Sequence, residues 1–236
     1  MMTADGQDNV AVVHMTNAYG AGLADAFVDN MNASHVCTQV GYEETTTDFA
    51  TMAQAVVDAG CTSVLLVSYA TDGAGIIEEL AGLGYSGAIY GADGIAEEGL
   101  ATGMSDTTLV DGIIATKPAA AGTPGAVAVV FAALCAASTD CAGGIYTAEA
   151  FDAVTIAAFA AFTALATPGL AAEAAVAGTG QGWNGASGTI SFLANGDVPA
   201  AGFCIGEFST ATDGTVSYDC ARSWDPVNGI TTATTE

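Results

Sequence analysis

Val10-Ala11-Val12-Val13-His14-Met15-Thr16-Asn17-Ala18-Tyr19-Gly20-Ala21-Gly22-Leu23-Ala24 is the stretch that decides the fold. Its valine-rich start, from Asn9 to Met15, reads as a strand buried on both faces. That is the mark of a parallel sheet, because a sheet with one wet face alternates apolar and polar residues. The chain then passes through Asn17-Ala18-Tyr19-Gly20 into a helical pattern ending near Asn32. The β-loop-α unit recurs. A second strand spans His35 to Tyr42, and Thr47 with Asp48 caps a helix that carries Phe49, Met52, Val56 and Val57 on one face until Gly60 stops it. A third strand, Ser63 to Ser68, leads through Tyr69-Ala70-Thr71-Asp72 into a helix with Ile76, Ile77, Leu80 and Leu83 on one stripe and Gly84 at its end. A fourth, Ala88 to Tyr90, runs into Gly91-Ala92-Asp93-Gly94 and a short helix. Strands alternating with helices of this length predict an α/β fold with a parallel sheet and right-handed crossovers.

Working outward, Leu109 to Ala115 reads as a fifth strand, and the texture changes at Thr116-Lys117-Pro118. Alanine-rich helices are expected over Gly125 to Ala137 and Thr147 to Ala166, followed by an irregular connection from Gly180 to Gly188. The tail reads as antiparallel β structure over Gly188 to Phe192, Phe203 to Phe208 and Val216 to Tyr218, with a turn at Asp213-Gly214 and a frayed Thr-rich end.

In an open parallel sheet the carboxyl ends of the strands share one edge, and ligands bind there. The loops after strands one, three and four bring Tyr19, Tyr69 and Asp93 to that edge. A carboxylate accepts a charge-assisted hydrogen bond from an ammonium group, and tyrosine rings cover the apolar part of the same ligand. Taken singly, a loop tyrosine reads as packing and an aspartate before glycine as a turn; their convergence carries the binding reading.

Twenty-six Asp and Glu face 2 Lys and Arg, Lys117 and Arg222, for a formal net charge of -24. Such a chain repels nucleic acid and anionic membrane surfaces, and its charge also suits solubility in a salty host. The six cysteines form an even set with no C-x-x-C pair and no histidine cluster, so no metal site is expected. Proximity suggests Cys135 with Cys141 and Cys204 with Cys220, leaving Cys37 with Cys61, among several possible connectivities. Disulfides place the chain in an oxidising compartment. Export requires a signal peptide, and the polar opening Met1-Met2-Thr3-Ala4-Asp5-Gly6 is not one, so either the signal is removed or the chain is incomplete. The apolar stretches Ala126 to Ala137 and Ala153 to Ala166 fall short of the ~20 residues of a membrane span, so no transmembrane helix is expected.

The ordered motifs resemble the type I periplasmic solute-binding proteins of ABC transporters, in particular the leucine/isoleucine/valine-binding branch. The resemblance rests on Tyr19-Gly20-Ala21-Gly22-Leu23-Ala24, Asp48-Phe49, Ser68-Tyr69 and Gly91-Ala92-Asp93-Gly94. It continues through Gly112-Ile113-Ile114-Ala115-Thr116-Lys117-Pro118, Tyr146-Thr147-Ala148-Glu149-Ala150-Phe151-Asp152-Ala153, Gly188-Thr189-Ile190-Ser191-Phe192, Gly196-Asp197 and Gly206-Glu207-Phe208. It implies a Rossmann-like lobe plus the remnant of a second α/β lobe, closing on an amino acid or similar small polar ligand in an interlobe cleft. It also implies a periplasmic or extracellular location, a membrane permease as partner and no cofactor. In that family the position of Asp93 is held by a glutamate that grips the ligand's α-ammonium group, and the aspartate is one methylene shorter. Residues 1–118 correspond to the second ligand-binding lobe, 119–187 to a helical remnant of the first, and 188–236 to the hinge return and C-terminal hairpin. Since the sequence begins where the family's second lobe begins, it is expected to be a fragment or truncated form with half a cleft and an exposed apolar sheet edge.

An enzyme is the rival class. Gly20-Ala21-Gly22 and Gly73-Ala74-Gly75 lack the third glycine of a dinucleotide fingerprint, and neither a G-x-S-x-G elbow nor a G-x-x-x-x-G-K-[ST] loop is present. His14 and His35 have no spaced metal partners and read as structural. The expectation is a non-enzymatic binding protein, with the ligand-sensing domain of a receptor as the alternative on the same fold.

Overall fold

The computed structural model describes residues 1–119, 126–138, 141, 146–199 and 202–232. The chain divides into two compact units, Met1–Lys117 with Cys204–Glu236, and Pro118–Phe203. In chain order the regular elements begin with β1 (Val10–Met15), α1 (Ala18–Asn30), β2 (Val36–Tyr42), α2 (Ala50–Asp58), β3 (Ser63–Val67), α3 (Ala70–Gly82), β4 (Ala88–Gly91) and β5 (Ile114–Pro118). There follow α4 (Ala126–Ala136), α5 (Thr147–Ala166), α6 (Ala172–Thr179), β6 (Trp183–Asn184) and β7 (Thr189–Ile190). The chain closes with β8 (Phe203–Thr210), β9 (Val216–Asp225) and β10 (Gly229–Thr232).

The first unit is built on an eight-stranded sheet in the order β10-β9-β8-β5-β4-β3-β1-β2. The pairs β1 with β2, β1 with β3, β3 with β4 and β4 with β5 are parallel, as the alternating pattern predicts. β1 is buried along its whole length and feeds two cores. Ala11, Val13 and Met15 pack on one side with Ala53, Val56, Ile76, Ile77 and Leu80 of α2 and α3, while Val10 and Val12 join Ala24 of α1 on the other. Asp48 accepts from the Ala50 amide at the start of α2, and Gly60 and Gly84 end the turns after α2 and α3 at φ 70 and 74°. His14 is buried in β1, its Nδ1 donating to the Met15 carbonyl and its Nε2 facing Gln39, which is a structural use of the ring.

The parallel half is continued by strands of the C-terminal segment. Gly112 donates to the Phe208 carbonyl and Phe208 to the Ile113 carbonyl, and β9 and β10 pair antiparallel. Tyr218 fastens this joint, donating to the Ala115 carbonyl at 2.9 Å and accepting from the Gly206 amide at 3.2 Å. Burial pushes its phenol up to about 12. Three disulfides are formed, Cys37–Cys61, Cys135–Cys141 and Cys204–Cys220, the set that proximity suggests.

The second unit is mainly helical, with α5 packed on α6 and a two-stranded ladder of β6 and β7. Asp152 of α5 is fully buried, where it accepts from the Ala186 amide at 2.8 Å, the Ser187 amide at 2.8 Å and the Ser187 hydroxyl at 2.7 Å. Gly185 is needed beside it, since a Cβ there would meet the carboxylate.

Several local expectations are corrected. The strand expected over Leu109 to Ala115 begins only at Ile114. Asp106 accepts from the Thr108 amide and starts a 3-10 turn over Thr107–Val110, and Gly112 then reverses the chain at φ 76°. His35 lies in a 3-10 turn, and β2 starts one residue later. α6 and β10 are additional elements, and the connection before Gly188 contains β6. The apolar run Ala153 to Ala166 is the larger part of α5, whose observed bounds match the predicted helix and which, at 20 residues and mean hydropathy 1.5, is longer than that run alone suggested. Among the described residues it alone meets the length and composition of a span, and its Asp152 is bonded into the unit. The helix start expected at Gly125 and the final four residues lie outside the described residues.

Candidate functional site

The strand register sets the level at which the chain leaves the sheet. His14 of β1 stands against Val67 of β3, and Leu66 of β3 against Gly91 of β4, so three successive loops rise from one edge. The strand order reverses between β1 and β3, the place where open α/β sheets form a ligand crevice. Tyr19 lies in the first turn of α1, Tyr69 immediately precedes α3, and Asp93 opens a 3-10 turn after β4.

The structure brings all three residues of this set together. Asn17 caps α1 by accepting from the Gly20 amide at 2.9 Å, and its amide nitrogen donates to Glu44 at 2.6 Å. Gly20 passes so close to the Met15 carbonyl that no Cβ would fit. The helix start is thereby fixed, and with it the direction of Tyr19. The rings of Tyr19 and Tyr69 stack with centroids 5.2 Å apart and planes within 9°. The Tyr19 hydroxyl donates to Asp93 Oδ1 at 2.9 Å and accepts from the Gly94 amide at 3.0 Å. Tyr69 is 47% exposed, whereas Tyr19 and Asp93 are half-buried. The result is an aromatic ledge with a carboxylate held at its rim.

Three further groups near this edge were not singled out from the sequence. Ser68, next to Tyr69, is fully buried, and its carbonyl approaches Gly94. Tyr42, at the end of β2, is buried near Ser68 and Asp72 in the first turn of α3, and neither its hydroxyl nor that of Ser68 has a hydrogen-bond partner among the described residues. Burial pushes both the Tyr42 phenol and the Asp72 carboxyl above their ordinary ranges. Their signal was positional, since each lies at or just past the carboxyl end of a strand.

The chain's two cations are engaged by other groups. The Lys117 ammonium sits 4.7 Å above the centre of the Tyr218 ring, and Arg222 forms a two-pronged pair with Asp5 at 2.6 and 3.1 Å. Among the described residues no group of three or more His, Cys, Asp or Glu side chains is placed to hold a metal ion.

No family model matches the chain, and no curated protein matches it. Solved structures do. A leucine-binding protein, LivK, of Thermotoga maritima superposes with a TM-score of 0.74 at 20% identity, over 95% of this chain and 63% of its own. A periplasmic binding protein type 1 from Bordetella pertussis gives 0.72 at 18% identity, over 92% and 62%. An ABC-transporter solute-binding protein of Rhodopseudomonas palustris, solved with 4-hydroxybenzoate, gives 0.76 at 16% identity, over 95% and 62%. The chain thus spans less than two thirds of the length of the structures it resembles. Its mixed α/β architecture with a mostly parallel sheet is the type I periplasmic-binding-protein fold.

Proposed function

We propose that this chain is part of a solute-binding component of an ABC transporter and holds an amino acid or similar amine-bearing ligand against Tyr19, Tyr69 and Asp93. The observation that carries the reading is the carboxylate of Asp93, fastened by the Tyr19 hydroxyl at the rim of a stacked tyrosine pair and at the switch point of the sheet. An ammonium group gains a charge-assisted bond from the carboxylate, and the rings offer their faces to the cation and to apolar substituents. No catalytic step is required.

The charge balance favours an amine over an aromatic acid of the kind bound by the R. palustris protein. Lys117 and Arg222 are already engaged by Tyr218 and Asp5, and a chain with a net charge of -24 draws cations and repels anions. In this reading residues 1–118 serve as one ligand-binding lobe, 119–187 as the remnant of the other and 188–236 as the return across the hinge. The protein works outside the cytoplasm with a membrane permease. The three disulfides support that compartment.

A thermal-shift screen of the chain against α-amino acids, their deaminated acids, small amides, sugars and benzoates tests the proposal. A ligand at 100 times its Kd adds about 2.7 kcal/mol. The expected hit is an α-amino acid whose deaminated acid has no effect, with Asp93→Ala weakening it by roughly 2 to 5 kcal/mol. A response confined to benzoates or sugars, or unchanged affinity in Asp93→Ala, rejects it.

A further inference from the structure

Resting on the reading of Asp93 as the amine-binding carboxylate, we infer that Tyr19 is a positioning residue, which acts on the ligand through Asp93. Its one hydroxyl proton goes to Asp93 Oδ1 at 2.9 Å, and its oxygen accepts from the backbone amide of the next residue, Gly94, at 3.0 Å. A phenol has a single donor, so donation to a ligand would first have to break the bond to Asp93. The same atom therefore clamps the loop and the carboxylate that projects from it.

The surroundings are shaped around that clamp. A Cβ on Gly94 would lie 2.7 Å from the Tyr19 hydroxyl, 2.5 Å from the Ser68 carbonyl and 3.2 Å from the Tyr69 ring. Gly94 has ordinary negative φ, so glycine serves here for close approach and not for a left-handed turn. The Tyr69 ring, parallel to Tyr19 at 5.2 Å, limits the tyrosine's tilt. Two neighbouring residues thus have separate roles, since Asp93 supplies charge and Gly94 supplies the room that lets Tyr19 hold it. The clamp occupies the Tyr19 hydroxyl and not its ring, and Tyr69, the more exposed of the two, offers the larger aromatic face to a ligand.

The test pairs a ligand-free measurement with a double-mutant cycle on the whole chain. In the ligand-free arm, Tyr19→Phe keeps the stacked ring and removes the hydroxyl. Exchange of the Gly94 amide, followed by NMR, should accelerate about two- to tenfold with the loss of one hydrogen bond, and the Asp93 carboxyl carbon resonance should move, while Tyr69→Phe leaves both in place. Unchanged Gly94 exchange and an unmoved Asp93 resonance in Tyr19→Phe overturn the inference.

In the second arm the probe is L-leucine, with 4-methylpentanoate as its amine-free counterpart. Tyr19→Phe should weaken leucine several-fold and lose that effect in the Asp93→Asn background, because its influence passes through the carboxylate. Equal loss in both backgrounds shows that Tyr19 acts directly on the ligand and overturns the inference. If neither probe binds the native chain, leucine is excluded as the ligand and the amino-acid reading is decided by the screen, while the Gly94 and Asp93 resonances still decide whether Tyr19 positions the carboxylate.

Discussion

Replacing Asp152 with alanine removes the acceptor of three hydrogen bonds at once. Its carboxylate is fully buried in α5 and receives the Ala186 amide, the Ser187 amide and the Ser187 hydroxyl at 2.7 to 2.8 Å. A buried donor deprived of its acceptor costs about 1–3 kcal/mol, so three would give roughly 3–9 kcal/mol if nothing relaxed. Ala186 and Ser187 are 7% and 6% exposed, close enough to the surface for water to reach part of the vacated site. The expected loss is therefore about 3–5 kcal/mol, the range seen when one partner of a buried charged network is removed. Asp152→Asn keeps the volume but turns an NH2 group toward donors, so at least one donor loses its acceptor, and its cost should be smaller, about 1–3 kcal/mol. Urea unfolding read by tryptophan fluorescence measures both. The chain's two tryptophans fall one in each unit, so a Trp224→Phe background leaves Trp183, beside this loop, as the reporter. An Asp152→Ala variant within about 1 kcal/mol of the parent would falsify the assignment of these bonds to stability.

Arg222→Met should cost about 1–2 kcal/mol at neutral pH by breaking a partly buried bidentate pair. The Arg222 hydrogen bond holds the Asp5 carboxyl below its usual range, so the stabilisation is present above the unfolded carboxyl's pKa and lost as pH falls through the lowered one. The variant's acid-side stability curve should accordingly be flatter, and an unaltered curve rejects the linkage. With a net charge of -24, the melting temperature should rise as KCl is raised from about 0.1 to 1 M, since the Debye length shrinks from ~10 to ~3 Å; a flat response shows that self-repulsion does not limit stability. Removing Cys204–Cys220, which closes a separation of 16 residues, by paired serine substitution should lower stability by about 3 kcal/mol in chemical unfolding. A loss below about 1 kcal/mol argues that strand pairing and Tyr218 hold the β8–β9 hairpin without the disulfide.

Much of the candidate site was legible because its elements are local. The valine run of β1, the glycine stops after α2 and α3, and the strand-loop-helix rhythm identified the edge from which Tyr19, Tyr69 and Asp93 project. Their division of roles was not legible. A tyrosine and an aspartate separated by 74 residues carry no local mark of a shared hydrogen bond, and the sequence alone assigned Tyr19 to the ligand as an aromatic platform. Similarly, Leu109 and Val110 look like strand residues by hydropathy, yet Asp106 and Gly112 impose a turn on either side of them.

By itself, the sequence determined the α/β class, the parallel half of the sheet, the loops at its carboxyl edge and the plausible cysteine pairs, because hydrophobic period and turn chemistry act over a few residues. Tertiary structure alone decided which side chains meet across the chain. It joined Arg222 to Asp5 over 217 residues and Tyr218 to the Ala115 carbonyl over 103. It also turned the Tyr19 hydroxyl onto Asp93, since a hydrogen bond depends on ångström-scale register between elements that no local pattern encodes.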